Sequence, residues 1–298
     1  VSAPELVLVG NLLVDDLVYD DGTTRMGQPG GALLHAAIAA TAFGAQVGCV
    51  SIVGSDYPAH ALATLEARGV SLEGVSRLEG PGVRVWLLYE AGARRMIPWL
   101  GRPTHADVSP LPESYPKAYE GAKGVHVAPM PWARQAAFVA AVGRGGQQVS
   151  LDPCEPLDDA GLDRVRSALA HVDVLFVSDD EVAFVDPAGA LPSLAAGRTK
   201  CVLHRRGREG GVVYQSDGTR TTWSAFPTRE LDPTGAGDVF AAAFMAAWVG
   251  GASLRDAVAR GAAAASVAVE GLGAAALLGV GEGELVRRAA EVVVSAAR

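Results

Sequence analysis

Short β-branched runs alternate along the chain with Ala-rich segments, so the apolar positions switch between a strand period and a helix period. Strands are predicted over residues 6–10, 46–53, 124–128, 148–151, 172–177 and 200–204. Helices are predicted over 31–43, 58–68, 132–142, 162–171, 235–249, 253–269 and 282–296. This order describes a mostly parallel sheet with helices on both faces, a three-layer α/β/α fold.

Two regions break the rhythm. Residues 14–26, and 84–100 with Val85-Trp86-Leu87-Leu88-Tyr89 and Arg95-Met96-Ile97-Pro98-Trp99, alternate as β-hairpins do. They are either extra edge strands of the main sheet or a small lid over a pocket. No repeat, low-complexity tract or linker interrupts the chain, which predicts one domain over 1–298 with a small β lid from about 11–27 and 82–101.

Composition narrows the function classes. With 49% hydrophobic and 19% charged residues, the 298-residue chain has the make-up of a soluble protein that folds by itself. A formal net charge of −8 argues against a surface that neutralises nucleic-acid phosphates or lies on anionic lipid, so neither nucleic acid nor membrane is an expected partner. Cys49, Cys154 and Cys201 are odd in number and widely spaced, which suggests neither a disulfide framework nor a zinc site and fits a reducing cytoplasm. The first residues lack a basic segment followed by an apolar core, so no signal peptide is expected. The Ala/Gly-rich stretches at 240–252 and 261–279 read as buried helices, since Gly interrupts both and Arg260 and Glu270 lie in or beside the second.

The run Asp232-Pro233-Thr234-Gly235-Ala236-Gly237-Asp238-Val239-Phe240 opens the helix predicted at 235–249. Gly235 and Gly237 let the backbone approach a ligand closely. The unpaired N–H groups of the first turn, on Gly235, Ala236, Gly237 and Asp238, point outward with the positive end of the helix dipole. Such a start is an anion hole suited to a transferring phosphoryl group. Asp238, among those N–H groups, is expected to have a lowered pKa. A weak base suffices, because a hydroxyl nucleophile keeps its proton until late in a loose transition state and mainly needs positioning. Taken alone, the same residues also describe a tight turn and a helix cap. No Walker loop or GxGxxG fingerprint stands in the required strand–helix context.

The longer string resembles the C-terminal signature of the ribokinase-like (phosphofructokinase B) carbohydrate kinases. Gly30-Gly31-Ala32, the Ala-rich helix, Phe43-Gly44-Ala45 and Gly54-Ser55-Asp56 are similar to the N-terminal signature of that family. With the opening Gly10-Asn11-Leu12-Leu13-Val14-Asp15, the resemblance covers essentially the whole chain in the family's order.

The resemblance implies a ribokinase-like fold, ATP and Mg²⁺ as cofactors with K⁺ as a further candidate, and Asp238 as catalytic base. It places Asn11, Asp15, Gly30 and Gly31 on the sugar side of the pocket, where a carboxylate can accept vicinal hydroxyl protons. His35 stands where the family usually has Asn, and is either a substrate contact or a satisfied helix histidine. Ser178-Asp179-Asp180-Glu181 resembles an Asn-x-x-Glu motif with Ser178 replacing Asn, which implies Glu181 near hydrated Mg²⁺; Ser178 with Glu181 also describes a helix cap. Arg205, Gly207 and Gly210 fall beside the nucleotide, and Asp232 and Thr234 at nucleotide contacts or a monovalent-cation site. In the lid, Arg84, Trp86, Tyr89, Arg94 and Arg95 form a basic and aromatic group, with Arg84 the expected substrate contact and about half of the group facing the pocket by strand alternation. The expected acceptor is a small-molecule sugar or polyol, and the lid is a candidate homodimer surface. Two alternatives stay open: a nucleoside kinase using Trp86 or Trp99 to stack on a base, and a non-catalytic sugar or nucleotide sensor.

Overall fold

A computed structural model describes residues 3–90 and 93–297; Val1, Ser2, Ala91, Gly92 and Arg298 lie outside the described residues. Strand β1 (Leu6–Val9) occupies the middle of the main sheet, parallel to β4 (Val47–Val53) on one side and β8 (Gly124–Val127) on the other. Beyond β4 runs β5 (Ser71–Arg77). Beyond β8 run β9 (Gln148–Leu151), β10 (Val174–Ser178) and β11 (Cys201–Arg205), all parallel. The far edge is antiparallel: β12 (Gly211–Gln215), β13 (Arg220–Trp223) and β14 (Val294–Ala297).

Strands covered on both faces need apolar side chains in both directions. In β1, Leu6 and Leu8 enter one core and Val7 and Val9 the other, and all four are fully buried. The first core lies under α1 (Ala32–Thr41), α2 (Ala59–Ala67), α7 (Ala236–Val249), α8 (Leu254–Ala268) and α9 (Glu282–Glu291). The second lies under α4 (Trp132–Val142), α5 (Asp159–Ala168) and α6 (Pro187–Leu194), and a single helical turn, α3 (His105–Val108), packs near β4. Ala36, Ala37, Ala39 and Ala40 on α1 face α7, where small side chains let two apolar helices pack closely. Among the described residues no single helix is long and apolar enough to cross a membrane.

The two hairpins form a separate sheet in the order β3 (Thr24–Gly30), β2 (Leu13–Val18), β6 (Arg84–Glu90), β7 (Ala93–Pro98), with β2 and β6 parallel. They are not edge strands of the main sheet. Leu13, Leu17, Val83, Val85, Leu87 and Val108 give this small sheet its own core. The helix expected over 282–296 is corrected: α9 stops at Glu291, because the β-branched run Val292-Val293-Val294 turns the backbone extended and Val294–Ala297 pairs with β13 instead.

Candidate active site

The site lies at the carboxyl ends of β1, β9, β10 and β11, where open α/β sheets place ligands. Helix α7 is entered through Gly235 at φ 77°, a left-handed conformation that glycine alone adopts at little cost. The turn before it closes when Ala236 N–H donates to the Pro233 carbonyl at 3.1 Å. This removes Ala236 from the expected donor set, since its N–H points back into the turn. Among the described residues the N–H groups of Gly235, Gly237 and Asp238 have no protein acceptor, so three donors remain.

The Asp238 carboxylate accepts no hydrogen bond from the described residues. Withdrawal from water and then the nearby Asp152 carboxylate push its pKa up to about 7, against Arg205 and Arg94. The expected lowering is thus corrected: the first-turn N–H groups do not bond this carboxylate, and desolvation prevails.

Asp152, which follows β9, is buried and unmentioned by any motif. Arg205 grips it with both terminal nitrogens, Nη1 to Oδ2 at 2.8 Å and Nη2 to Oδ1 at 2.7 Å, and Nη1 also donates to the Gly237 carbonyl at 2.9 Å. The phosphate role expected for Arg205 is therefore replaced by a bracing one, because its fork is already filled. Ser178, at the end of β10, donates its backbone N–H to Glu181 Oε2 at 2.5 Å, and its hydroxyl donates to the same oxygen. A turn rather than a helix follows. Burial and then Asp152 raise the Glu181 pKa. Gly207 and Gly210 bound the short turn between β11 and β12, two and five residues beyond Arg205.

Asn11 and Asp15 flank the same cleft from β1 and β2. Both polar atoms of the buried Asn11 amide lack a partner. Asp15 is also buried, and desolvation followed by Asp16 and Asp232 raises it to about 7, opposed by Arg94. Gly30 lies so close to this carboxylate that a Cβ there would fall on Asp15 Oδ2, and a Cβ on Gly31, the α1 cap, would press on the Asn11 carbonyl. His35 is buried, and its Nδ1 accepts the Ala274 N–H at 3.1 Å. Desolvation lowers its pKa to about 4, so the ring is neutral. A Cβ on Gly235 would lie 2.6 Å from the ring, and one on Gly273 would overlap it. The imidazole is wedged behind the glycine that opens α7.

Strand alternation sorts the small sheet's side chains. Val85, Leu87 and Tyr89 face the body; Arg84 and Trp86 face outward. Arg84 forks onto Asp16 at 2.7 Å twice and lies 4.6 Å over the Trp99 ring, which stacks on Trp86 at 5.2 Å. Arg84 is therefore not a substrate contact, and the two tryptophans stack on each other on the outer face. On the inner face, the Tyr89 hydroxyl lies 3.2 Å from both Asp232 oxygens and 3.0 Å from Thr234 Oγ1. Arg94, the cross-strand partner of Tyr89, donates to Thr234 Oγ1 at 3.1 Å. Asp232 also accepts the Thr234 N–H at 2.9 Å.

Among the described residues, a carboxylate without a hydrogen-bond donor and three N–H groups without an acceptor thus stand at one glycine-rich helix start. The pfkB family carbohydrate kinase profile matches residues 7–278. The chain belongs to the pfkB family. This pfkB kinase is 29% identical to a cytidine kinase of Thermococcus kodakarensis over 85% of its own length and 92% of the relative's. It is 30% identical to an ATP-dependent ribose-1-phosphate kinase of Halopiger xanaduensis over 80% of each chain. Its fold is that of a putative ribokinase II from E. coli crystallised with ATP and Mg²⁺, at a TM-score of 0.80 with 22% identity, covering 97% of this chain and 99% of that one.

Three site groups of this pfkB kinase escaped assignment from the sequence: Asp152, and the pocket-facing positions of Tyr89 and Arg94. Asp152 sits in Leu151-Asp152-Pro153 at a strand end, a signal legible as a carboxylate at the catalytic edge of the sheet. Tyr89 and Arg94 were visible as pocket candidates, but choosing their face required the register of β6 against β7.

Proposed function

We propose that this kinase transfers the γ-phosphoryl group of ATP to a hydroxyl of a sugar or polyol, with Asp238 positioning that hydroxyl and accepting its proton. The observation that carries the reading is the Asp238 carboxylate, which among the described residues accepts no hydrogen bond and stands on the same helix turn as the N–H groups of Gly235, Gly237 and Asp238, themselves without an acceptor there. Those donors would hold the transferring phosphoryl group. Asn11, whose amide atoms lack a partner among the described residues, and the buried Asp15 carboxylate would grip acceptor hydroxyls. Replacing Asp238 with Asn is expected to abolish turnover while ATP binding stays measurable by titration calorimetry; an active variant overturns the assignment.

Mg²⁺ fits the acidic group at Asp152 and Glu181. Glu181 has one oxygen bonded to Ser178 and the other without a protein donor, and it would hold the ion directly or through water. Among the described residues no three ligating side chains converge, so nucleotide phosphates and water would fill most of the shell, as Mg²⁺ commonly requires. The ion supplies charge neutralisation on the phosphates. Gly207 and Gly210 would lie along the nucleotide. Asp232, on which a K⁺ ion would draw, is engaged by Tyr89 and Thr234, and the reading includes no K⁺.

The small sheet would act as a lid, with its outer face, where Ile97 and Leu100 are exposed beside the tryptophan stack, as a homodimer surface. The free thiols Cys49, Cys154 and Cys201 suit a cytoplasmic setting. A nucleoside acceptor is the second reading, favoured by the likeness to the cytidine kinase. A coupled ADP-release assay over ribose, fructose, inositol, a 2-keto sugar acid, ribose 1-phosphate and cytidine separates the two.

A further inference from the structure

Of the three arginines nearest the site, two have their charge met by a carboxylate. Arg84 is forked onto Asp16 on the outer face, and Arg205 onto Asp152 beneath α7. Arg94 differs. It sits on the inner face of β7 opposite Tyr89, is exposed, and within the described residues donates to a neutral oxygen, Thr234 Oγ1, with no carboxylate in ion-pair contact. Thr234 immediately precedes Gly235, so the guanidinium is tethered one residue from the first anion-hole donor.

Electrostatics locate it further. The Arg94 charge is felt by Asp15 at one side of the cleft and by Asp238 at the other, and it opposes the raised pKa of both. A guanidinium bonded to Thr234 and within electrostatic reach of both carboxylates is near enough to serve a phosphoryl group that meets an acceptor hydroxyl at Asp238. Guanidinium is planar, permanently charged and offers paired N–H donors, the geometry that matches phosphoryl oxygens.

We propose that Arg94 is a catalytic residue carried by the small sheet: it exchanges its Thr234 hydrogen bond for the oxygens of the transferring phosphoryl group and stabilises the charge they bear in the transition state. This rests on the reading of residues 235–238 as the phosphoryl-transfer centre. No atom is gained or lost at Arg94. A bond forms between the acceptor hydroxyl oxygen and the γ-phosphorus, the bond from that phosphorus to the β–γ bridging oxygen breaks with ADP as the leaving group, and the acceptor proton passes to Asp238.

The test uses the full chain with Mg²⁺, ATP and whichever acceptor of the panel above is turned over fastest. Arg94→Ala is expected to lower kcat by about 10³-fold, the lower end of arginine contributions to phosphoryl transfer. Affinities for ATP and for the acceptor should change by less than about threefold, since differential transition-state binding leaves ground-state binding untouched. Affinity for ADP with aluminium fluoride, which mimics the transferring group, should fall at least tenfold more than affinity for ATP, and guanidinium chloride at millimolar concentration should restore part of kcat. Arg94→Lys should recover activity partially. An unchanged kcat overturns the proposal. So does a loss confined to the acceptor KM, which would make Arg94 an acceptor ligand instead. A wild-type chain that turns over no acceptor, or an active Asp238→Asn variant, counts against the underlying reading rather than against Arg94 alone.

Discussion

At the scale of single residues, two carboxylates with pKa values near 7 govern how the site responds to pH. Asp238 must be ionised to take a proton, and Asp15 must be ionised to accept hydroxyl hydrogen bonds; both are raised mainly by desolvation. In free enzyme, kcat/KM should therefore fall below pH 7 with a limb that steepens from about tenfold toward about a hundredfold per pH unit, and Asp15→Asn should return the limb to the single slope. A stability consequence follows from the same shift. A carboxylate whose folded pKa exceeds its unfolded value of about 3.9 destabilises the fold increasingly as pH rises from there to about 7, and fully above that. Asp238→Asn is expected to raise stability by about 2 kcal/mol at pH 8, after discounting for partial exposure, and to give no gain at pH 4. Urea unfolding at the two pH values checks this. A gain that persists at pH 4 would show that desolvation of the charge is not its source.

At the scale of elements, the start of α7 depends on two braces that come from elsewhere in the fold. Arg205 holds the Gly237 carbonyl from β11, and His35 fills the space behind Gly235 from α1. His35→Ala should strip the Ala274 N–H of its acceptor and cost about 1–3 kcal/mol. It should lower kcat more than it raises the acceptor KM; a rise in KM alone would mark His35 as a substrate contact. Strands β1, β4 and β8 to β11 and helices α1, α2, α4, α5, α7 and α8 were legible because their periods are clean, and the signature at 232–240 carried the expectation for the catalytic end. Less was legible where tertiary pairing decided the outcome. Strand β5, with the sequence Ser-Leu-Glu-Gly-Val-Ser-Arg, has little β-branched signal, and β14 continues directly from a helix period. Arg84 and Arg94 are chemically equivalent in the sequence; only the alternation of β6 and β7, fixed by their register, turns one outward and the other toward Thr234. The pKa of Asp238 was misjudged for a related reason, since the helix start was visible but the surrounding protein that excludes water was not.

At the scale of the whole molecule, opposing buried charges set the acid response. His35 and His126 are both lowered to about 4 by desolvation, below the unfolded value of about 6.5, so each withdraws stability as pH falls from that value toward 4. Asp15 and Asp238 return stability over nearly the same window. His105 and His204 are lowered in the same sense as the two histidines and Glu181 is raised in the same sense as the two aspartates, so the opposing sets should leave the thermal midpoint almost level between pH 7 and pH 5. The double variant Asp15→Asn with Asp238→Asn should lose midpoint over that interval, and thermal melts of both proteins decide it; parallel curves would disprove the balance. The wedge of His35 between Gly235 and Gly273 has a further consequence in time. Its ring comes from the first eighth of the chain, while the N–H that fixes it belongs to Ala274, 239 residues later. A ribosome must therefore pass residue 274 before the loop at 235–238 has its backing, and a nascent chain halted at residue 270 would carry every signature residue yet lack the support that holds Gly235 in place.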